Sequence, residues 1–483
     1  MRLDLLVERS LTGTGLLVAV QGDASVEIAS LTMDSRSVGP GALFACVPGR
    51  VTDGHAHAPA ALAAGAVALL CERPLDLAVP QILVRSVRSA LGPLAAAVNG
   101  WPSEDLVVVG VTGTNGKTTT CALLEAVFEA HGWKAATVGT LTQARTTPEA
   151  PELQRRLAEL RREGCRAVAM EVSSHALDQE RVGGVRFAAG VLTNVTQDHL
   201  DYHGTMERYF SAKARLFEPD RCAVAIVNRD DPWGRTLIAR LGDAGTPLAT
   251  YGFDDVEDLR VDVAGSRFRW RGQDVHLALG GRFNVANALA AAACAEQLGI
   301  PADVIAAGIG TLRAVRGRFE RIDAGQPFTV LVDYAHTPDG LTQALTAARE
   351  LTAGRLVVVF GAGGDRDQDK RPAMGRVAAE LADLAVVTSD NPRSEDPGAI
   401  IADVVAGAAD PTRVRIIPDR AEAIETAVWV AGPGDVVVVA GKGHERGQEI
   451  AGQVRPFDDA EVARQALERL LARRALSGPG PTG

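Results

Sequence analysis

The residues best suited to phosphate chemistry stand in one short loop, GTNGKTT, at positions 113–119. An apolar run, Leu106–Val111, precedes the loop, and a helical pattern over Lys117–Ala130 begins inside it. Backbone N–H groups at a helix start attract phosphate oxygens, a lysine adds positive charge, and a threonine hydroxyl can ligate Mg²⁺. The loop is shorter than the usual phosphate loop, since Val111 stands where its first glycine would fall. On its own it predicts a nucleotide phosphate site and no particular reaction.

Ionisable residues follow two further apolar runs. The sequence EVSSH begins at Glu171, directly after Ala167–Met170, and TNVTQDHLDYH, which contains His199, follows Ala188–Leu192. In open α/β sheets ligands bind at the carboxyl ends of strands, and a carboxylate there can hold Mg²⁺ opposite a phosphate loop. A capping glutamate with two turn serines and a solvated surface helix remain the alternatives for these two segments.

Lysine is unusually rare in this chain. Of 50 basic residues only five are lysines: Lys117, Lys134, Lys213, Lys370 and Lys442. Arginine fills the other positive positions, so the lysines are expected where an ammonium group rather than a guanidinium is needed. For Lys213, on a predicted helix over residues 209–217, a solvated helix lysine is the alternative.

The elements that must position these residues form three segments. A chain of 483 residues corresponds to about three domains. Short strands and Ala-rich helices fill the first hundred residues, and a linker is predicted at 99–102. From Leu106 and again from about Gly317, apolar strands alternate with helices, which predicts two parallel α/β sheets. Residues 254–278 are predicted to form a small antiparallel appendage, and Ser477–Gly483 a disordered tail.

The individual elements are predicted from apolar runs and helical periodicity. Strands are predicted at 42–47, 67–71, 81–84, 106–111, 167–170, 188–192, 223–227, 329–332, 356–360, 384–388, 414–417 and 436–439. Helices are predicted at 58–64, 86–98, 117–130, 284–298 and 460–474.

Composition excludes several classes of protein. The formal net charge of −10 argues against general nucleic-acid affinity, and 46% hydrophobic with 23% charged residues is typical of a folded globular chain. Six scattered cysteines form neither a CxxC motif nor a disulfide scaffold, which favours a reducing compartment. The N-terminus has no signal peptide, and no apolar run is long enough to span a membrane. We therefore expect a cytoplasmic protein with neither a nucleic-acid nor a membrane partner.

Taken in order, the motifs resemble those of the Mur ligase family. To the segments above the chain adds GRFNVAN at 281–287, GRFE at 317–320, DYAHTP at 333–338, FGAGGDRDQDKRPAMG at 360–375 and GKGHE at 441–445. The resemblance reaches back to DSR at 34–36 and so covers nearly the whole chain. It implies three α/β domains: a small N-terminal UDP-binding domain (1–101), a central phosphate-loop, parallel-sheet ATP-binding domain (102–316) and a Rossmann-like, amino-acid-binding C-terminal domain (317–483).

The resemblance also implies a reaction. In this family ATP activates a carboxylate as an acyl phosphate, and an amine then displaces phosphate to form a C–N bond. The segment DNPR, Asp390–Arg393, resembles members that add 2,6-diaminopimelate to the D-glutamate of UDP-N-acetylmuramoyl-L-alanyl-D-glutamate in peptidoglycan precursor synthesis. A guanidinium can hold the second carboxylate of diaminopimelate with two parallel hydrogen bonds. The four residues also predict a β-turn, since Asn-Pro is a turn former.

Site residues carry over from the family by position. The resemblance implies catalytic roles for Lys117, Glu171, His199 and Lys213. It implies ATP contacts by Gly113, Thr114, Asn115, Gly116, Lys117, Thr118, Thr119, Asn287, Arg318, Asp333 and His336. It implies UDP-muramoyl-peptide contacts by Ser35, Thr146, Thr147, Ser173 and Arg181. It implies diaminopimelate contacts by Arg366, Asp390, Asn391, Arg393, Gly441 and Glu445.

The metal and the modification are likewise implied by the resemblance. Mg²⁺ is the expected cofactor, with Thr118, Glu171, His199 and Lys213 at the metal site. Lys213 matches a lysine that CO₂ converts to a carbamate (N6-carboxylysine), which would turn a cation into an anion able to orient the metal. A monomer is expected, with the third domain closing over the second before chemistry. Arg316, where the family often has proline, predicts a looser hinge.

Four alternatives remain open at this point. A lysine-adding relative is the nearest, and the Asp390–Arg393 segment argues against it. A folylpolyglutamate synthase would share the ATP core but would lack the N-terminal UDP segment. A phosphate-loop ATPase acting as a conformational switch would leave the Lys213 helix and DNPR unexplained. A catalytically inactive binding protein would not be expected to keep all four of Lys117, Glu171, His199 and Lys213.

Overall fold

The computed structural model describes residues 1–49, 52–262 and 265–476 of the chain. The predicted disordered tail, Ser477–Gly483, lies outside the described residues. No helix among those described is both long and apolar enough to cross a membrane. The described residues form three α/β units along the chain, each with its own sheet and buried apolar core.

The first unit is a five-stranded sheet in the order β1-β5-β4-β3-β2. Its strands pair in parallel except for β1, which runs antiparallel to β5. Leucine and valine side chains of α1 and α3 bury against one face of this sheet. Its strands are β1 (Leu17–Gln21), β2 (Ser30–Thr32), β3 (Ala42–Ala45), β4 (Ala66–Cys71) and β5 (Gln81–Val84). Its helices are α1 (Leu3–Leu11), α2 (Ala58–Ala63) and α3 (Val87–Val98).

The second unit is a six-stranded, fully parallel sheet in the order β11-β10-β9-β6-β8-β7. Its strands are β6 (Val107–Thr112), β7 (Ala135–Val138), β8 (Ala167–Glu171), β9 (Ala189–Leu192), β10 (Ala225–Asn228) and β11 (Leu248–Tyr251). Its helices to this point are α4 (Pro102–Asp105), α5 (Lys117–Ala130), α6 (Ala150–Arg162), α7 (Ser174–Asp178), α8 (Leu200–His203), α9 (Met206–Ala214) and α10 (Pro232–Ala244). The strand order reverses at β6, so a crevice opens at its carboxyl end, where such sheets bind ligands.

A three-stranded antiparallel sheet and two helices complete the second unit. The strands are β12 (Val256–Asp262), β13 (Gly265–Trp270) and β14 (Gln273–Leu277), and the helices are α11 (Arg282–Gln297) and α12 (Ala302–Thr311). In α11 the run Ala288–Ala295 is buried throughout. Small side chains therefore let this helix pack closely against its neighbours while Asn287 faces the phosphate loop.

The third unit is a six-stranded sheet in the order β15-β16-β20-β17-β18-β19, parallel except for β15. Its strands are β15 (Glu320–Ile322), β16 (Thr329–Asp333), β17 (Leu356–Phe360), β18 (Leu384–Val387), β19 (Val414–Ile416) and β20 (Val436–Ala440), followed by the hairpin β21 (Gly447–Ile450) and β22 (Gln453–Pro456). Its helices are α13 (Pro338–Glu350), α14 (Lys370–Leu381), α15 (Pro397–Val405), α16 (Arg420–Val430) and α17 (Asp459–Leu476). Valines of β20 are fully buried on both faces, as expected for a central parallel strand.

The linker between the second and third units is tied to the third. The guanidinium of Arg316 forms an ion pair with Asp458, just before α17. A Cβ on Gly317 would overlap the backbone of Gly443 and His444, so this glycine permits close contact with the loop after β20. The ion pair therefore links Arg316 to the third unit, and the looser hinge stays a prediction.

The predicted strand–helix rhythm and the antiparallel appendage are confirmed, with the predicted boundaries within a few residues of those in the structure. The chain also contains strands that periodicity did not reveal, including β1, β2, β7, β11 and β15. All five lie at sheet edges, are three to five residues long and are only partly buried. Strands this short give little periodicity, even where they are as apolar as β1 (LVAVQ).

Candidate active site

The phosphate loop lies at the carboxyl end of β6, between the ends of β8 and β9. A Cβ on Gly113 would overlap the hydroxyl of Thr193, and one on Gly116 would overlap the side-chain oxygen of Asn287. Both glycines also have positive φ angles, of 149° and 85°. These two positions require glycine because neighbouring elements press against the loop.

The segment after β9 braces this loop from one side. Thr114 N donates to the carbonyl of Asn194 (2.8 Å), and Asn115 N donates to the Asn194 side chain (3.0 Å). The Thr193 hydroxyl donates to the carbonyl of Asn115 at 2.6 Å. The sequence TNVT therefore acts as a scaffold for the phosphate loop, a role that was not predicted for it.

Two lysine side chains converge on one carbonyl oxygen. Lys117 Nζ donates to Gly113 O at 2.9 Å and to Thr114 O at 2.8 Å. Lys213 Nζ, from α9, donates to the same Gly113 O at 2.8 Å. Lys213 is 2% exposed, and burial together with the Lys117 charge holds its pKa well below the usual lysine value. A neutral amine is therefore favoured at Lys213.

Glu171, at the end of β8, is held by the start of the loop after β7. Its carboxylate accepts from Thr140 N at 2.8 Å and from the Thr140 hydroxyl at 3.2 Å. A Cβ on Gly139 would overlap the same carboxylate, so the fold presses this segment onto Glu171. Glu171 and Thr118 both line the cavity described below.

A cluster of histidine and tyrosine rings reaches the cavity through His199. The rings of His175 and His199 pack edge to face with their centroids 4.7 Å apart, and the ring centroids of His175 and Tyr202 are 4.2 Å apart. His199 has a φ of 55°, a left-handed backbone conformation, and burial lowers its pKa to about 4. His199 is thus favoured as a neutral imidazole, the form that can ligate a metal.

The third domain supplies the opposite wall of the cavity. The Arg318 guanidinium donates to the Thr118 hydroxyl at 3.1 Å and lies over the ring of Tyr334, while its Nε is buried without a partner among the described residues. Asp333 accepts from Phe319 N at 2.7 Å, and burial raises its pKa. The cavity has a volume of about 240 Å³, and both domains line it.

Asp339, in the first turn of α13, joins the two domains. Its Oδ2 accepts from Asn115 Nδ2 at 2.9 Å and from the Thr196 hydroxyl at 2.7 Å, both in the central domain. Gln343 Nε2, from its own helix, donates to the same oxygen at 2.9 Å. Asp339 follows directly on the motif DYAHTP, so sequence reasoning stopped one residue short of it.

The six residues predicted to bind diaminopimelate lie outside this cavity, on loops after β17, β18 and β20. Asn391 Nδ2 donates to Glu445 Oε2 at 2.8 Å, and Asp390 is 6% exposed. Arg393 has a φ of 55° and donates to Gly364 O at 2.5 Å. Arg366 is exposed and makes no hydrogen bond within the described part of the chain. The structure thus groups Asp390, Asn391, Gly441 and Glu445 closely, with Arg393 beside them.

Of the residues predicted to hold the UDP-muramoyl peptide, those in the central domain lie close together and Ser35 lies apart from them. Ser173 N donates to Thr147 Oγ1 at 3.1 Å, and Arg181 donates to Thr147 O at 3.2 Å. Thr146 and Ser173 line the cavity. Ser35 lies apart in the first domain, in a short 3₁₀ turn capped by Asp34.

All predicted ATP contacts except Gly113 line the cavity, and so do Glu171 and His199. Lys213 stands behind the Gly113 carbonyl rather than in the wall. Three residues that contact the predicted site residues were missed: Thr140 at Glu171, Asp339 at Asn115 and Lys442 at Asn391. GKGHE contained the signal for Lys442, but no signal in the sequence links Thr140 to Glu171.

The three α/β domains, with a phosphate loop facing an arginine and a buried carboxylate across a domain boundary, define a nucleotide-dependent enzyme that works between its domains. Family models match in chain order: the Mur ligase family catalytic domain at 27–99, the Mur ligase middle domain at 111–295 and the Mur ligase glutamate ligase domain at 317–443. This chain belongs to the Mur ligase family.

Curated relatives narrow the comparison. A UDP-N-acetylmuramoyl-L-alanyl-D-glutamate–2,6-diaminopimelate ligase of Syntrophomonas wolfei is 46% identical, over 92% of this chain and 96% of that protein. One of the same name from Geobacillus kaustophilus is 45% identical, over 92% of this chain and 95% of that protein. A solved structure with this name has a TM-score of 0.69 at 34% identity, covering 97% of this chain and 99% of that one. A MurF structure from Acinetobacter baumannii, with a TM-score of 0.67 at 21% identity over 98% of both chains, is similar in fold.

Proposed function

We propose that this chain is an ATP-dependent ligase that adds 2,6-diaminopimelate to the D-glutamate of UDP-N-acetylmuramoyl-L-alanyl-D-glutamate, a step of peptidoglycan precursor synthesis. The observation that carries the proposal is the cavity between the phosphate loop and Arg318, Asp333 and His336 of the third domain. The names of relatives at 46% and 45% identity over nearly the full chain support the substrates.

The chemistry follows from the poor reactivity of a carboxylate. The D-glutamate carboxylate attacks the γ-phosphate of ATP, ADP leaves, and an acyl phosphate forms. The diaminopimelate amine then attacks the acyl carbon, and the tetrahedral intermediate expels phosphate. Lys117 and Arg318 provide positive charge where the phosphates must bind, which offsets repulsion between two anions.

Mg²⁺ fits the residues present at this site. Thr118 and Glu171 offer hydroxyl and carboxylate oxygens on the same cavity wall, and His199 lines it as well. Within the described residues, no three His, Cys, Asp or Glu side chains form a closed ligand set. That suits Mg²⁺, which keeps several waters and binds one or two carboxylates together with substrate phosphates. When bound it would neutralise charge on the phosphates.

Lys213 is proposed to carry a carbamate in the active enzyme. A neutral amine is the form that attacks CO₂, and burial beside Lys117 favours that form. Attack by the amine forms an N–C bond and releases one proton, so the product is an anion that can pair with the Lys117 ammonium group. The carbamate also supplies an oxygen donor that can orient Mg²⁺.

The substrate ends are assigned to different domains. Ser35 in the first domain and Thr146, Thr147, Ser173 and Arg181 in the second are proposed to hold the UDP-muramoyl peptide. Arg366, Asp390, Asn391, Arg393, Gly441 and Glu445 in the third are proposed to hold diaminopimelate. Domain boundaries at 101/102 and 316/317 separate these parts. The tie between Arg316 and Asp458 supports the second boundary.

Location and assembly complete the proposal. All six cysteines are free and buried, and Cys46 and Cys71 stand 3.7 Å apart without a bond, which supports a reducing cytoplasm. A monomer is proposed, since one chain supplies both walls of the cavity.

The test is amine-dependent phosphate release. The enzyme is given ATP, Mg²⁺ and the UDP-muramoyl dipeptide with, in turn, meso-diaminopimelate, LL-diaminopimelate and L-lysine. We expect phosphate release with diaminopimelate and little with lysine. Equal or better turnover with lysine would contradict the assignment, and mass spectrometry of the product identifies the amino acid that was added.

A further inference from the structure

The most completely buried cation of the third domain has no role in the function proposed above. Lys442, in the loop after β20, is 0% exposed. Its Nζ donates to Asn391 Oδ1 at 2.9 Å and to Glu445 Oε2 at 3.0 Å, and it lies 3.6 Å from Asp390 Oδ1. One ammonium group therefore touches three of the residues proposed to hold diaminopimelate.

Lys442 fixes the orientation of the Asn391 amide. Asn391 Oδ1 accepts from two donors, Lys442 Nζ and Glu449 N, the latter at 3.0 Å. Asn391 Nδ2 donates to Glu445 Oε2 at 2.8 Å. An amide turned the other way would set donor against donor and acceptor against acceptor. The orientation of the Asn391 side-chain amide is therefore fixed by the protein before substrate binds.

One carboxylate oxygen of Asp390 lacks a hydrogen-bond donor among the described residues. Asp390 is 6% exposed, and its Oδ1 is buried without a hydrogen-bond partner among the described residues. Lys442 is the cation paired with it, at 3.6 Å, beyond hydrogen-bond length. A buried carboxylate left in this state is costly unless a ligand supplies the hydrogen bond.

The charges around Asp390 indicate which chemical group the ligand would place there. Asp390 and Glu445 bring two negative charges and Lys442 one positive charge, so the cluster carries one negative charge in excess. A single ammonium group would balance it and could donate to Asp390. Arg393, beside the cluster, lies with its Nε 3.6 Å from Glu449 Oε2, and its guanidinium is of the kind that can also hold a substrate carboxylate.

We propose that Lys442 is a positioning residue that prepares this pocket for the distal ammonium group of the incoming amino acid. It does so by orienting Asn391 and by leaving one negative charge on the Asp390–Glu445 pair. The inference rests on the proposed function for the location of the amino-acid pocket.

The experiment compares two substrates in two proteins. Diaminopimelate is compared with 2-aminopimelate, which keeps both carboxylates and lacks the distal amine, in the wild type and in Lys442→Met. We expect the variant to raise the KM for diaminopimelate about 30-fold, since the group that prepares the ammonium site is lost. The KM for 2-aminopimelate should change less than about threefold, because that substrate never used the ammonium site. The KM for ATP should stay within about twofold.

The matched control is Lys134→Met, which removes an exposed lysine of the central domain whose ammonium group donates, within the described residues, to the Glu163 carbonyl alone. It should leave all three KM values unchanged. Lys442→Gln is the second variant; it removes the charge while keeping a polar side chain, and it should give the same substrate pattern in a protein better able to fold.

Other outcomes overturn the inference. Equal losses with diaminopimelate and 2-aminopimelate would mean that Lys442 merely supports the loop. Loss of ATP binding and a lower Tm in both Lys442 variants would likewise reduce it to a folding role. If the wild type uses a different amino acid, the proposed function fails by itself. The comparison then proceeds with that amino acid and its analogue without the distal amine.

Discussion

Lys213 in the central domain and Lys442 in the third domain are both buried, at 2% and 0% exposure, but their ammonium groups have different partners. Lys442 lies among two carboxylates and an amide oxygen. Lys213 donates to one backbone carbonyl that Lys117 also uses and lies over the ring of Tyr209, and within the described residues it forms no ion pair. Burial of the two side chains is nearly equal, so the surrounding groups distinguish them.

The difference teaches how the same residue type serves two purposes. A buried ammonium without an anion is unstable as a cation, and such a lysine is prepared to react as an amine. A buried lysine between carboxylates has partners for its charge, and it orders those partners instead. The first environment suits a covalent modification, and the second suits recognition of a charged substrate.

The largest effect is expected at Lys213. Lys213→Arg keeps a positive charge but cannot form the carbamate, so kcat should fall at least about 100-fold. The measurement is steady-state phosphate release at saturating substrates. Bicarbonate labelled with ¹³C should give a carbamate resonance in the wild type and none in the variant. Near-full activity in Lys213→Arg would rule out the carbamate and remove the contrast with Lys442.

The next effect concerns the carboxylate end of the third-domain pocket. Arg393→Lys keeps the charge but loses the planar pair of donors, so the KM for diaminopimelate should rise about tenfold to 30-fold. Unlike a change at Lys442, this one should penalise diaminopimelate and 2-aminopimelate equally, because both carry the distal carboxylate. If only diaminopimelate is affected, then Arg393 does not bind that carboxylate and the division between the two residues fails.

A smaller effect is expected where the two regions are joined. Asp339→Ala removes the acceptor that Asn115 and Thr196 share across the domain boundary, and kcat/KM for ATP should drop about tenfold. Thr196→Val removes one of those hydrogen bonds and should produce a lesser drop. Small-angle scattering with a bound ATP analogue should show a larger radius of gyration in Asp339→Ala than in the wild type. An unchanged radius and unchanged kinetics would mean that this contact does not hold the domains closed.

The smallest effect is expected at the exposed Lys134. Lys134→Arg should change kcat, KM and Tm by less than the error of measurement, since the side chain is exposed and its ammonium group donates, in the part of the chain that the structure describes, to the Glu163 carbonyl alone. A clear loss of activity here would show that lysine rarity, rather than burial and partners, marks function in this chain. The different partners of Lys213 and Lys442 would then no longer explain their different roles.

Much of the molecule was readable from local patterns. The parallel sheets followed from apolar strands alternating with helices, and the phosphate loop followed from glycine, lysine and threonine between a strand and a helix. The family followed from the order of the motifs and is confirmed by matches in all three domains. The site assignments that rest on those motifs remain predictions.

By itself, the sequence determined which chemical groups are present and which short segments present them, because turn, cap and strand signals act over a few residues. Only the tertiary structure decided which groups meet. Lys213 lies 100 residues from Gly113, and Asp339 lies 224 residues from Asn115. No local pattern encodes such contacts, since they depend on how separate sheets pack. The packing of the sheets therefore determined which charged groups surround each buried lysine, and with them its chemistry.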